Sequence, residues 1–356
     1  MKQMIHHSPC VEIGELKKLT SRELFLEKSF DFTSTKSKEI IDYFNSTRTK
    51  RYGIGGTLPA EYTHEYQKIN KEWYRKYITI GVKGDLVIVV LKYVNMFGNV
   101  YNRIEGCPIS ITNNRENEIK VLISLFNNQL TNKIGCVKKE GDELEKIGFV
   151  FTDKIISYNF YSHIPTNYEK ISKNKWRTKN GINRMLAMKN LSWKLLNNET
   201  DIDKIKIVNK GFDRWKMEIE GTDKGWHNLS KKSVQYPYWD EDDGVNYYLF
   251  SYKDIPIGLA VYIFPNGKLA HQIIKKSLGH LLYEDGFIKL NEKESNEFDE
   301  LGKRLGNYIH YITVKDLYEM GIEDGYFGGS FSMKSLRTHK GRMNDLEISH
   351  YNYKMN

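Results

Sequence analysis

One pattern occurs twice in this chain, and the repetition restricts the fold more than any other feature. The first copy runs through YITIGV, LVIVVLKYV from Leu86 and GNVYNRIEG from Gly98, three strand candidates rich in β-branched and aromatic residues. Asn95-Met96-Phe97-Gly98 separates the second from the third, so the spacing predicts a hairpin. The second copy lies between Val245 and Lys276, where YYLFSY, IGLAVYIF and LAHQIIKK are joined by Lys253-Asp254-Ile255-Pro256 and Pro265-Asn266-Gly267-Lys268. Both connectors are rich in turn residues, which predicts a meander. Helical patterns and a closing strand follow each copy. In the first half these are ENEIKVLISLFNNQLTNK, with Ile119, Leu122, Ile123, Phe126 and Leu130 at helical spacing, then DELEKIGF, stopped by Gly148, and the strand FVFTDKIISYNFYS. In the second half a helix from about Leu305 to Met320, stopped by Gly321, leads into the strand IEDGYF. Strands that precede helices, twice over, imply an α+β fold of two domains related by structural duplication.

Length agrees with that division. At 356 residues the chain exceeds what one core of about 150 residues organises. The predicted boundaries are a helical N-terminal extension over 1–75, a first domain over 76–195 that includes a linking basic helix, and a second domain over 196–356. SRELFLEKSF, KSKEIIDYFN and AEYTHEYQKINKEWYRKY supply the helical candidates of the extension, and Gly53-Ile54-Gly55-Gly56 reads as a flexible turn among them. A further helix is expected over Asp201 to Glu220. No run of about 18 apolar residues exists, and MKQMIHHSPC lacks the apolar core of a leader, so a cytoplasmic protein without membrane contact is expected. Cys10, Cys107 and Cys136 lack C-x-x-C spacing and are expected to be free thiols. The net charge of +9 attracts polyanions without naming one.

Two passages carry a resemblance. IHYITVKDLYEMGIEDGYFGGSFSMKSLRTHKGRM resembles the closing segment of the Fem-type branch of the GNAT acyltransferase superfamily: a helix, a glycine, a short strand, Gly-Gly and a helix with a lysine. LEKIGFVFTDKIISYNFYSHIPTNYEKISKNKWRTKNGINRML resembles the linking passage of that branch, with Leu144, Gly148, Phe149, Arg177 and Ile182 in the matching places. Together they cover about 140 to 195 and 245 to 343. The resemblance implies two GNAT-like domains, each a mostly antiparallel sheet flanked by helices, and transfer of an acyl or aminoacyl group to an amine. The donor it implies is acetyl-CoA or aminoacyl-tRNA, because Fem-type members take acyl groups from aminoacyl-tRNA without the R/Q-x-x-G-x-G/A loop of acetyl-CoA users. In place of that loop the chain has Gly302-Lys303-Arg304-Leu305-Gly306-Asn307, with Arg304 where a glycine would stand. Lys303, Arg304, Gly306 and Asn307 are the cofactor candidates there. Lys340 matches the lysine of the branch, although His339 precedes it where an aromatic residue is usual.

The residues themselves suggest the following chemistry. A helix starting near Ser332 would direct free N–H groups and its dipole at an anion beside Gly328, Gly329 and Ser330. Lys334, Arg337 and Lys340 share one face of such a helix and suit a phosphate or an acyl-transfer oxyanion, or they form an ordinary solvated face. Tyr326 is the candidate proton donor, with core packing as the plain alternative, and Asp324 and His310 are weaker acid–base candidates. Residues 169–194 carry eight Lys/Arg against one Glu, with Trp176 and Trp193 interleaved. Arg177, Lys179 and Arg184 are the nucleic-acid candidates there, for tRNA or DNA, unless the segment is simply a lysine-rich outer face. A nucleic-acid base modifying transferase, viral in one version, and a catalytically silent binding module are the alternative functions. Thr47 to Gly56 does not follow the order of a phosphate loop. Asp240-Glu241-Asp242-Asp243 is expected to be solvated, no His spacing suits a metal, and none is predicted.

Overall fold

A computed structural model describes residues 28–30, 35–57, 78–83, 86–94, 100–129, 131–173, 179–196, 208, 245–277, 292–329, 340–341, 344 and 346–356. The chain divides into two compact units. Unit 1 comprises Met1–Tyr161, Gly329–Gly341 and Leu346–Asn356, and unit 2 comprises Ser162–Gly328 and Arg342–Asp345.

In unit 1 the expected strands are present as β2 (Ile78–Lys83), β3 (Leu86–Val94) and β4 (Val100–Glu105), paired antiparallel in sequence order. Their outer neighbour is β1 (Lys28–Phe30), which corrects the helix expected over SRELFLEKSF. The helix expected over KSKEIIDYFN is present and longer, as α1 (Thr35–Tyr52). The short strand β5 (Ile109–Ser110) pairs with β3, and α2 (Arg115–Asn127) follows. Asn114 caps α2 by accepting the Asn117 N–H at 3.1 Å, and Leu122 and Leu125 are the buried positions of its inner face. The helix expected to run to Lys133 ends at Asn127, and Lys133–Val137 is β6, parallel to β4. Next come α3 (Lys138–Glu145) and β7 (Phe149–His163), separated by Gly148 at φ 95, a value that suits glycine. The C-terminal strand β13 (Leu346–Met355), numbered after the strands of unit 2, inserts antiparallel between β6 and β7. One core joins these elements: Ile88, Val90, Ile104, Leu122, Ile134 and Phe149, with further apolar neighbours, close around α2.

Unit 2 starts with α4 (Ile164–Ser172) and α5 (Lys179–Leu186), followed by β8 (Leu191–Leu196). The stretch 169–194 is therefore two helical pieces and a strand, not one basic helix, and Trp193 and Lys194 lie on the strand. The meander is present as β9 (Val245–Tyr252), β10 (Ile255–Asn266) and β11 (Leu269–Ser277), with β8 beside β9. Lys253 and Asp254 form the β9–β10 turn with φ of 48° and 64°. Two positive φ angles in a two-residue loop match the right-handed twist of a hairpin. A long helix, α6 (Glu292–Glu319), crosses from the meander to β12 (Asp324–Gly329), which runs parallel to β11. Gly321, φ 77, ends the helical run as expected. Helices α4 and α5 pack on α6, in part through Tyr168 stacked on Tyr318 with centroids 4.6 Å apart.

The two units thus share one order: three antiparallel strands, a helix, and a strand parallel to the third. The helices expected over AEYTHEYQKINKEWYRKY and Asp201–Glu220 and the acidic run 240–243 lie outside the described residues, Val208 excepted.

Candidate functional site

The parallel strand pair is where each unit concentrates its chemistry. In unit 2, β11 and β12 pair through Leu269↔Asp324, Ala270↔Gly325 and His271↔Tyr326, and the register stops there. A bulge on β11 explains the stop. Gln272 faces Tyr262 of β10, whereas Ile274 faces Val261, so Ile273 is an extra residue in the strand. Such an insertion bends a strand and re-aims its side chains. Because of it, Gln272 and Lys275, three positions apart, share the face of Tyr262 and Ala260, and His271 lies on the other face with Ile263.

Each face has its own chemistry. On one, His271 is fully buried with its ring 5.2 Å from that of Tyr326, and among the described residues neither ring nitrogen has a hydrogen-bond partner. Burial pushes its pKa down to about 3, so the imidazole is neutral and presents one unused donor and one unused acceptor. On the other face a directed line of hydrogen bonds runs under α6. Gln272 Nε2 donates to Tyr262 Oη at 2.5 Å, Tyr262 meets Thr313 Oγ1 at 3.0 Å, and Thr313 donates to the Ile309 carbonyl at 2.9 Å. Lys275 sits on this face, beyond the end of the β12 pairing, and burial lowers its pKa to about 8. An amine with that pKa exchanges protons near neutral pH. Neither His271 nor Lys275 was a candidate from sequence, since LAHQIIKK reads only as an alternating strand and the bulge has no local signature.

The residues expected from sequence are distributed as follows. Tyr326 lies on β12, 3% exposed, beside His271. His310 is buried with its ring 5.0 Å from that of Phe327, and burial raises the pKa of Asp324. Gly328 has φ 78 and Gly329 ends β12. Lys340 is helical and part-buried, whereas Ser330, Lys334, Arg337 and Arg177 lie outside the described residues. Lys303, Arg304, Gly306 and Asn307 are inside α6, which corrects the loop expected before the long helix. Backbone N–H groups in a helix interior already bond within the helix and cannot cradle a pyrophosphate. Arg304 Nε donates to Glu300 at 2.5 Å and Arg184 lies 3.3 Å from the same carboxylate, so one acid holds a cofactor candidate and a nucleic-acid candidate. The backbone of Lys179 is in α5.

In unit 1 the corresponding junction follows Glu105↔Gly135, and it is filled. Arg48 of α1 donates both terminal nitrogens to Glu140 of α3, each at 2.6 Å, and the Cys107 N–H donates to the same carboxylate at 2.7 Å. Arg48 is 2% exposed and Glu140 fully buried. A second carboxylate, Glu118, accepts from the Ser110 N–H at 2.8 Å, from Arg51 at 2.7 and 3.0 Å and from Arg115 at 2.8 Å. Burial would raise the Glu118 pKa, but the bonds from Arg51, the Ser110 N–H and Arg115 outweigh it and hold the group below the carboxylate range. Stability from Glu118 is therefore complete above the unfolded value of about 4.3 and lost as pH falls through the depressed folded value. Acid titration of the wild type and Glu118→Gln, followed by urea unfolding, is expected to show the curves converging only below about pH 4. The turn expected at Gly53-Ile54-Gly55-Gly56 is part of this packing and not a loose connector. A Cβ on Gly55 would lie 2.7 Å from Ile348 Cδ1, and one on Gly56 would lie 2.7 Å from the Arg48 carbonyl oxygen. Cys107 and Cys136 are buried free thiols, their pKa values raised by burial.

Known structures share this architecture. A conserved protein of unknown function from Bacteroides thetaiotaomicron VPI-5482 superposes with a TM-score of 0.65 at 11% identity, over 93% of this chain and 100% of its own. FemX superposes with 0.54 at 11% identity, covering 92% of this chain and 98% of its own. The chain has a GNAT-like fold of the Fem type. The C-terminal domain of a protein described as a lysylphosphatidylglycerol synthetase, from Agrobacterium fabrum, superposes with 0.52 at 8% identity, over 90% of this chain and 93% of its own. No family model and no curated protein matches the sequence. The described elements are mixed helix and strand with mostly antiparallel pairing. Among the described residues no group of three or more His, Cys, Asp or Glu could hold a metal ion, and no helix is long and apolar enough to cross a membrane.

Proposed function

We propose that this chain transfers an aminoacyl group to an amine and that its donor engages the β11–β12 junction of unit 2. The observation that carries the reading is the buried His271, whose two ring nitrogens lack partners where the parallel register stops. A buried polar group without partners costs about 1–3 kcal/mol, and a bound carbonyl or hydroxyl offers the partner it lacks. The GNAT-like fold supports acyl or aminoacyl transfer as the reaction class. Two features favour an aminoacyl donor carried on tRNA over acetyl-CoA. Residues 302–307 are helical, so their backbone N–H groups are already used within the helix. FemX and the lysylphosphatidylglycerol synthetase domain are among the similar folds, and lysylphosphatidylglycerol is itself an aminoacyl product.

In the proposed reaction the acceptor amine attacks the ester carbonyl, a proton leaves that amine, and a proton reaches the departing ribose oxygen. Tyr326, on the same face as His271, supplies the second, and the first passes to solvent, because Lys275 lies on the opposite face of the sheet. An RNA-borne donor also gives the basic stretch 169–194 a purpose, with Arg177, Lys179 and Arg184 as contacts to the phosphate backbone.

Thermal shifts with a nonhydrolysable aminoacyl-adenosine and with acetyl-CoA test the donor. Stabilisation by the first alone is expected, and stabilisation by acetyl-CoA alone would reverse the choice. If neither binds, the fold serves as a silent module. Mass spectrometry of amine acceptors, with Tyr326→Phe and His271→Phe beside the wild type, then tests the chemistry. Either variant removes its residue from the mechanism if it stays folded and keeps full transfer.

A further inference from the structure

We propose that the end of the β4–β6 pair in unit 1 is a seat for a small oxyanion, which the chain keeps filled with its own Glu140 carboxylate. The proposal is independent of the transfer reading above. Its grounds are the donors and how they are held.

Three N–H groups converge on Glu140: both terminal nitrogens of Arg48 and the backbone of Cys107. A guanidinium presented edge-on with a backbone N–H beside it is the arrangement that recognises a planar carboxylate or a phosphate. These donors do not depend on Glu140 for their position. Arg48 Nε donates to the Gly56 carbonyl at 2.8 Å, and the rings of Phe44 and Tyr52 lie 5.4 and 5.5 Å from the guanidinium carbon. Cys107 follows Gly106, whose N–H donates to the Gly135 carbonyl at 2.8 Å in continuation of the strand pair. Gly106 itself, at φ 75, leaves the space Arg48 fills: a Cβ there would lie 1.9 Å from Arg48 Nη1. The carboxylate comes from a separate element, the third residue of α3. The receptor and its occupant are thus built by different parts of unit 1.

The comparison between the two junctions makes the same point. Unit 2 ends its parallel pair at a buried histidine without partners, and unit 1 ends its own at a buried cation whose partner is internal. Truncating Glu140 at Cβ would leave the guanidinium and the Cys107 N–H facing a space the size of the lost carboxylate. Formate or acetate should enter it.

The test uses the full chain carrying Glu140→Ala, melted in sodium chloride and in sodium formate at equal ionic strength. A fall in Tm of about 10 °C in chloride is expected for a buried charge left without its partner, with at least half recovered in formate. The wild type should shift by no more than about 2 °C between the salts, and the double variant Arg48→Ala with Glu140→Ala should show no gain specific to formate. The proposal fails if Glu140→Ala gains no more than the wild type, or if the double variant gains as much as the single one. If Glu140→Ala does not fold in chloride, refolding from urea decides: recovery in formate alone supports the seat, and recovery in neither salt or equally in both overturns it.

Discussion

Arg48→Ala is expected to destabilise unit 1 by about 3–5 kcal/mol, because it leaves the Glu140 carboxylate buried without its cationic partner, with the Cys107 N–H still donating to it. Removing one member of a buried ion pair costs more than the pair itself contributes, since the survivor has lost both water and partner. The double variant Arg48→Met with Glu140→Leu should therefore recover most of the loss. It should not recover all of it, because the Gly56 carbonyl and the Cys107 N–H each lose a partner, a penalty of about 1–3 kcal/mol per buried group. Urea unfolding of the three proteins checks the order. A double variant as unstable as Arg48→Ala would show that shape and not charge governs the site.

His271→Phe should move stability and activity in opposite directions. Phenylalanine fills a similar volume without polar atoms, so the variant should gain about 1–3 kcal/mol at neutral pH. The pH dependence distinguishes this from ordinary repacking. The folded pKa of His271 is about 3, below the unfolded value of about 6.5, so between them the unfolded chain binds the extra proton. Wild-type stability from this group is present above about pH 6.5 and falls as pH drops, by about 2 kcal/mol at pH 5. His350, whose pKa burial lowers to about 4, contributes a similar slope that the variant retains. The proposed aminoacyl transfer should fall by about 10²–10³-fold in the variant, the effect of removing one preorganised hydrogen-bonding group from a reacting centre. A variant that is more stable in acid yet fully active would leave His271 a core residue and remove it from the site.

Much of the element list was legible because it is written in short-range terms. The β9–β10–β11 meander follows from alternation and turn residues, α2 from apolar positions three and four apart, and the stops at Gly148 and Gly321 from the positive φ that glycine adopts without strain. The misses have equally specific causes. The helix expected to reach Lys133 stops at Asn127, and Lys133 opens β6, for which β4 and β13 offer edges on both sides. Lys28–Phe30 follows helix-forming residues yet pairs with β2. Residues 302–307 resemble a loop by their glycines, but α6 starts ahead of them and extends through, with Arg304 tied to Glu300 one turn back.

The candidate site was less legible than the fold. Tyr326 was a candidate from its place before Gly-Gly, and it stands at the junction in unit 2. His271 and Lys275 were not, because their environment is set by the bulge at Ile273 and by what covers each face of β11. Arg48 and Glu140 are 92 positions apart, and no local pattern marks either as a partner. By itself the sequence determined which segments become strands and helices, and that their order occurs twice, because periodicity and turn chemistry act over a few residues. Only the tertiary structure decided that one junction would be filled by the chain's own ion pair and the other left with an unpartnered imidazole. Burial and long-range pairing set the charge state of a group, and both exist only once distant segments have closed on one another.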